Sequence, residues 1–189
     1  MPRRKPAAGD EHPPLPASSY VVLGLVAQHG PLTPYDMKRC VADGVGHFWD
    51  FPHSQLYVEP PRLVELGLLE ESRELDGRRR RLFSLTDAGR TMLLDWVREV
   101  DTAPTEIRDH GLLKLFFGRL ATHDDVAALA HGHAAAHAAK LAEYRRIDER
   151  MARSPELAHQ RATLRMGLLF EQAAVAFWEE IVNDPPPHG

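Results

Sequence analysis

Apolar positions along the first hundred residues change period several times, and each change marks an element. Tyr20, Val22, Leu23, Leu25 and Val26 form a dense apolar run behind Ser18 and Ser19, whose hydroxyls can cap a helix that Gly30 stops. In LTPYDMKRC, Thr33 is placed as N-cap, Pro34 takes the first helical position where its missing N–H is harmless, and Asp36 completes a capping box. After Gly44 and Gly46, the segment HFWDFPHSQLYVEPPRLVELGLLEES predicts a third helix ending at Gly67. Pro60 and Pro61 lie inside that segment, and a proline in a helix interior removes a hydrogen bond and clashes with the preceding turn, at about 3 kcal/mol. The expected accommodation is a tight turn over Ser54 to Tyr57, followed by a helix starting at Pro60 or Pro61 and running to Leu66.

From Leu68 the pattern becomes strand, turn, strand: LLEESREL, the turn pair Asp76-Gly77, then RRRRLFSL, with Leu82, Phe83 and Leu85 anchoring the base. Thr86, with Asp87 in the first turn, caps a fourth helix through Met92, Leu93, Trp96 and Val97. Three short helices, a hairpin and a following helix make a winged helix-turn-helix. A hairpin projects its turn into solvent, so Arg78, Arg79, Arg80 and Arg81 can reach phosphates or a narrow minor groove. The competing reading is a solvated charge run neutralised by Glu70, Glu71, Glu74 and Asp76.

Beyond Asp101 the composition shifts towards alanine and helix formers. Thr105 can cap a fifth helix containing Ile107, Leu112, Leu113, Leu115, Phe116 and Leu120, and Thr122 with Asp125 forms a second capping box opening a long helix. That helix ends near Ser154-Pro155, a cap and first-turn pair for the last one, so the two form an antiparallel hairpin. Val126, Ala130, His133, His137, Leu141, Tyr144, Ile147 and Met151 recur at helical spacing. The last helix carries two stripes, Leu157, Leu164, Leu168, Val175, Trp178 and Val182, and beside them Met166, Phe170, Phe177 and Ile181. Intramolecular packing uses one stripe, and a two-fold-related subunit is the economical cover for the other. Leu141, Tyr144, Phe170, Phe177, Trp178 and Ile181 are accordingly the expected homodimer interface.

The expected architecture is therefore mainly α with a small β-hairpin: a disordered arm over 1–17, a winged helix-turn-helix over 18–101, a helical dimerisation arm over 102–184, and a disordered tail over 185–189. Of 189 residues 43% are hydrophobic, ordinary for a soluble protein, and no apolar run approaches the ~20 residues of a membrane span. With no apolar segment behind the basic PRRK start, a cytoplasmic location is expected. Cys40 is the single cysteine, which excludes an intramolecular disulfide and a multi-cysteine metal site. His133 and His137 share a helix face, but neither HExxH nor a cysteine completes a metal set, so packing at the interface is the expected role, a cross-dimer metal site or a pH-sensitive contact being the alternatives, and no cofactor is expected. Glycine-rich phosphate loops and GxSxG elbows are lacking, which argues against an enzyme. The net charge is −4, and residues 1–100 hold 13 Lys and Arg against 14 Asp and Glu, so attraction to DNA would come from local clustering.

The chain resembles the PadR-like transcriptional regulators, through YVVLGLVAQHGPLTPYDMK, FPHSQLY, RLVELGLLEE and GRRRRLFSLTDAGR, in that order between Tyr20 and Val97. The C-terminal half is similar, by pattern, to the subgroup with an extended helical arm, the virulence-activator type. The resemblance implies that the third helix enters the major groove with Ser54, Gln55, Tyr57 and Arg62 near base edges, Gln55 able to pair with adenine. Tyr35 and Lys38 would meet phosphates. It also implies that Trp96 could stack on a small aromatic effector, packing being the alternative. The implied function is a homodimeric regulator on a pseudo-palindromic operator, more a repressor than an activator. The alternative is a helical dimer that binds proteins or sequesters ligands without specific DNA binding.

Overall fold

The computed structural model describes residues 15–73, 80–100, 102 and 104–187. The chain divides into two compact units, residues 1–102 and 103–189.

In the first unit, α1 (Ala17–His29) lies at the centre, with Val22, Leu23 and Val26 buried. Its start is set by Pro16 without a side-chain cap, so neither Ser18 nor Ser19 plays the expected part. Ser19 is instead fully buried and donates its hydroxyl to Glu59. Leu15, inside the segment expected to be an arm, belongs to the core; residues 1–14 of that segment lie outside the described residues. Gly30 closes α1 at φ 78°.

Local chemistry dictates α2 (Pro34–Asp43): Thr33 accepts from the Asp36 amide at 3.2 Å, and Asp36 accepts from the Thr33 amide at 3.2 Å. A 3₁₀ turn over Val45–His47 follows, then α3 (Gln55–Glu65). At the end of α3, Leu68 N–H reaches the Leu63 carbonyl at 2.9 Å and Gly67 N–H the Val64 carbonyl at 2.9 Å, a Schellman closure with Gly67 at φ 71°. Leu63 and Leu68, the apolar pair that accompanies such a closure, are both buried.

The strands β1 (Leu69–Arg73) and β2 (Arg81–Leu85) pair antiparallel, from Leu69 opposite Leu85 to Arg73 opposite Arg81. A two-residue Asp76-Gly77 turn would place Arg73 opposite Arg80, so the ladder stands one residue off that expectation. Asp76 and Gly77 themselves lie outside the described residues. This register turns Phe83 fully into the core and leaves Leu82 and Leu85 half-buried. Phe83 also exchanges both backbone bonds with Leu32, at 3.0 and 3.1 Å, tying the hairpin to the α1–α2 connection.

Thr86 joins the hairpin to α4 (Asp87–Arg98): its hydroxyl accepts from the Gly89 amide at 3.0 Å and donates to the Gly67 carbonyl at 2.8 Å. Gly89 is required here, since a Cβ would stand 2.0 Å from the Leu68 carbonyl oxygen. Gly89→Ala is expected to lower the stability of this unit by roughly 2 kcal/mol, measured by urea unfolding.

The second unit opens with α5 (His110–Phe116), capped by Asp109, which accepts from the amides of Gly111 at 2.6 Å and Leu112 at 3.0 Å. The helix expected to be capped by Thr105 therefore starts four residues later, because Asp109 satisfies two free amides at once. Thr122 and Asp125 form the expected capping box of α6 (His123–Met151). Ser154 makes no side-chain cap; a 3₁₀ turn over Pro155–Leu157 leads into α7 (Ala158–Asn183). The helices α6 and α7 pack as an antiparallel pair, tied near the turn by Arg161 to Asp148 at 2.6 and 3.0 Å. Residues 185–187 carry no helix, and 188–189 of the expected tail lie outside the described residues.

Candidate nucleic-acid interface

The α3 helix runs without interruption through Pro60 and Pro61, contrary to the expected restart at the prolines. The tight turn expected near Ser54 exists as the start of the same helix, with Tyr57 N–H bonded to the Ser54 carbonyl at 3.1 Å. Two devices offset the missing hydrogen bonds. Pro60 is fully buried, which turns its ring into core. Glu59 and Arg62 bracket the proline pair, Arg62 Nε donating to Glu59 Oε2 at 3.1 Å and its Nη2 donating to Ser19 Oγ at 2.9 Å.

Glu59 is only 3% exposed. Burial alone would push its carboxyl up, but hydrogen bonds from Arg62 and Ser19 and the Arg62 charge outweigh that and hold it below the ordinary range. Arg62, expected at base edges, is therefore engaged by α1 and α3 inside the unit. The structure turns Tyr57 outward, 56% exposed, and with it Val58, which the sequence pattern did not single out. Their neighbours Leu56 and Glu59 point inward, so these two follow from the face of α3 that the core leaves uncovered. Ser54 is exposed and makes no capping bond, while Gln55 is half-buried. On α2, Tyr35 and Lys38 are both exposed.

In the hairpin, Arg81 makes a two-pronged bond to Glu71 across the strands, at 2.8 and 2.6 Å, with its guanidinium 5.3 Å from the Phe83 ring centre. Arg73 adds a longer contact to Glu71 at 3.8 Å. The Arg81 hydrogen bond holds the Glu71 carboxyl low and raises Arg81 in turn. Arg81 is thus a strand-pairing residue. Arg80 is exposed just before β2, and Arg78 and Arg79 lie outside the described residues.

Trp96 on α4 stacks on Tyr20, ring centres 4.5 Å apart and planes 9° from parallel, and stays 45% exposed. One face of the indole is thereby taken by the protein itself.

In the second unit the two stripes of α7 separate. Trp178, 1% exposed, stacks on His133 at 4.6 Å, and Leu141 and Tyr144 of α6 are buried with it. These three of the residues expected at a dimer interface are buried within one chain. Phe170 and Phe177 are exposed and Ile181 is half-buried. His137 meets Glu171, itself buried, at 2.6 Å, so both stripe histidines have partners inside the unit. Among the described residues no group of three or more His, Cys, Asp or Glu could hold a metal ion, and no helix is long and apolar enough to cross a membrane.

A first helix, a capped helix-turn-helix and a hairpin tied to their connection define a winged-helix unit, and the second unit is built on a long helical pair. Residues 22–95 match the transcriptional regulator PadR-like family, and residues 107–184 match the virulence activator alpha C-terminal family. The winged-helix unit is thus similar to the PadR-like transcriptional regulators. It is 27% identical over 139 residues to the negative transcriptional regulator PadR of Bacillus subtilis, covering 72% of this chain and 76% of that one. The fold superposes on Bacillus subtilis PadR in complex with operator DNA with a TM-score of 0.81, at 26% identity over 90% of this chain and all of that chain. The same protein in complex with p-coumaric acid gives 0.72, at 26% identity over 87% of this chain and 92% of that chain. The Vibrio cholerae virulence activator AphA shares the fold, with a TM-score of 0.68 at 24% identity over 88% of this chain and 96% of that chain.

Proposed function

We propose that this chain is a homodimeric, cytoplasmic repressor that binds a pseudo-palindromic operator and is released by a small aromatic effector, with no catalytic role. The observation that carries the reading is the outward face of α3, where Tyr57 and Val58 stand exposed on a helix whose other side is locked into the core. Tyr35, Lys38, Ser54 and Gln55 extend that face, and Arg78, Arg79 and Arg80 supply the wing's charge. The likeness to a PadR bound to operator DNA supports the same use here. Residues 18–101 then form the DNA-binding domain and 102–184 the dimerisation arm.

The second unit supports dimerisation. Leu113, Phe116, Phe117 and Leu120 before α6 are exposed, and so are Met166, Leu169 and Phe170 on α7. An isolated chain showing that much apolar surface calls for a partner, and a second copy supplies two recognition helices for two half-sites. An aromatic effector would stack on the open face of Trp96; the likeness to a PadR in complex with p-coumaric acid supports that chemistry.

The test is fluorescence anisotropy against the duplex upstream of the chain's own gene and against duplexes from unbiased site selection, beside scrambled DNA. Tight, salt-sensitive, sequence-preferring binding is expected. Replacing Arg78, Arg79 and Arg80 together by Ala should lower affinity for every duplex and reduce the salt slope by about 0.9 for each phosphate that is no longer neutralised. Feeble binding to all duplexes, unchanged in the variant, would favour a protein-interaction or ligand-sequestering module instead.

A further inference from the structure

The segment between α2 and α3 presents two aromatic side chains that the fold does not use. Phe48 is 64% exposed and Trp49 46% exposed, although Phe51, two residues on, is buried in the core. Their backbone is tied down on both sides. The amides of Phe48 and Trp49 both bond the Val45 carbonyl, at 3.2 and 2.9 Å, and Val45 packs on the core. Gly46 lies so close to α2 that a Cβ would stand 2.7 Å from the Val41 carbonyl oxygen. The aromatic pair is thus held outward between two anchored points, where a looser loop could have turned either ring inward to bury its apolar surface.

We propose that Phe48 and Trp49 make apolar contact with thymine methyl groups in the major groove, beside the bases read by α3. This rests on the DNA-binding reading above. In a helix-turn-helix, the connection between the two helices delivers the chain to the base-facing N-terminus of the second, so this pair reaches the groove at the same end as Ser54 and Gln55. On α3 itself, Tyr57 and Val58 are exposed apolar side chains as well. Thymine is the one base that offers a methyl group on the major-groove edge, and an uncharged aromatic pair has no ion pair to give phosphate.

The probe is the duplex obtained by site selection, alongside the same duplex with its thymines replaced by deoxyuridine, which removes the methyl groups and keeps the base pairing. The Phe48→Ala, Trp49→Ala double variant is expected to bind the thymine duplex about tenfold more weakly with an unchanged salt slope. Wild type should lose affinity on the deoxyuridine duplex, and the variant should lose little more there, since the two changes remove the same interaction. Thermal unfolding of the variant should match wild type, and the deoxyuridine comparison on wild type needs no variant at all. Wild-type binding indifferent to the methyl groups, or a variant loss equal on both duplexes, overturns the inference while leaving DNA binding intact. Failure of wild type to prefer any duplex overturns the DNA-binding reading and the inference with it.

Discussion

Replacing Arg62 by Ala is expected to destabilise the winged-helix unit by about 3 kcal/mol, the low end for breaking a buried ion pair because the Arg62 side chain is 38% exposed. The change strands Glu59, which burial would raise and which Arg62 and Ser19 hold low. It also removes the clamp across Pro60 and Pro61, where the helix lacks two of its own hydrogen bonds. The pH dependence distinguishes this cause from simple loss of packing. In wild type the folded carboxyl titrates below its ordinary value of 4.5, so the contribution of Glu59 is complete above that value and is lost as pH falls through the lowered one. In the variant, burial remains without its main opposing charge, so the carboxyl is raised and the folded state takes up its proton first. Stability of the variant then recovers as pH falls, and the gap to wild type narrows between neutral pH and about pH 4. Urea unfolding at a series of pH values reads this directly; a gap that stays constant would assign the loss to packing. Arg62→Lys should restore only part, because an ammonium cannot bond Glu59 and Ser19 with the same fork.

That network also marks where local sequence pattern stops determining structure. Elements closed by neighbours were legible: Thr33 with Asp36, Thr122 with Asp125, Thr86 with Gly89 and the Gly67 stop all lie within a few residues of their partners. Ser19 and Arg62 are 43 residues apart, and no local pattern tells a capping serine from one whose hydroxyl meets a buried carboxylate. The proline pair misled for the same reason. Its local penalty is real, but the burial of Pro60 and the Glu59–Arg62 bond that offset it are tertiary. In the wing, four arginines in a row look equivalent, yet strand alternation sets Arg81 against Glu71 on the paired strand. Between Thr105 and Asp109 both side chains can cap, and the one that accepts two amides opens the helix.

Trp178 and Phe177 are adjacent, and their replacement by Ala is expected to separate the two purposes of α7. Trp178→Ala should cost the helical unit about 3–5 kcal/mol, since the indole is fully enclosed and its removal leaves a cavity against His133. A step of 100° around the helix puts Phe177 on a more open side, 36% exposed with its ring 5.1 Å from Trp178, so Phe177→Ala should cost this unit only about 1–2 kcal/mol. Oligomeric state then decides the role of the open stripe. If α7 offers that stripe to a second copy, Phe177→Ala together with Phe170→Ala shifts sedimentation towards monomer while far-UV helicity holds at high protein concentration. Trp178→Ala, by contrast, loses helicity and association together, because it removes the surface on which a partner would sit. A protein whose helicity survives Trp178→Ala would mean that the α6–α7 pairing draws its stability from elsewhere along the stripe, from Tyr144, Leu141 and Ile147, and that the stacked indole serves another end.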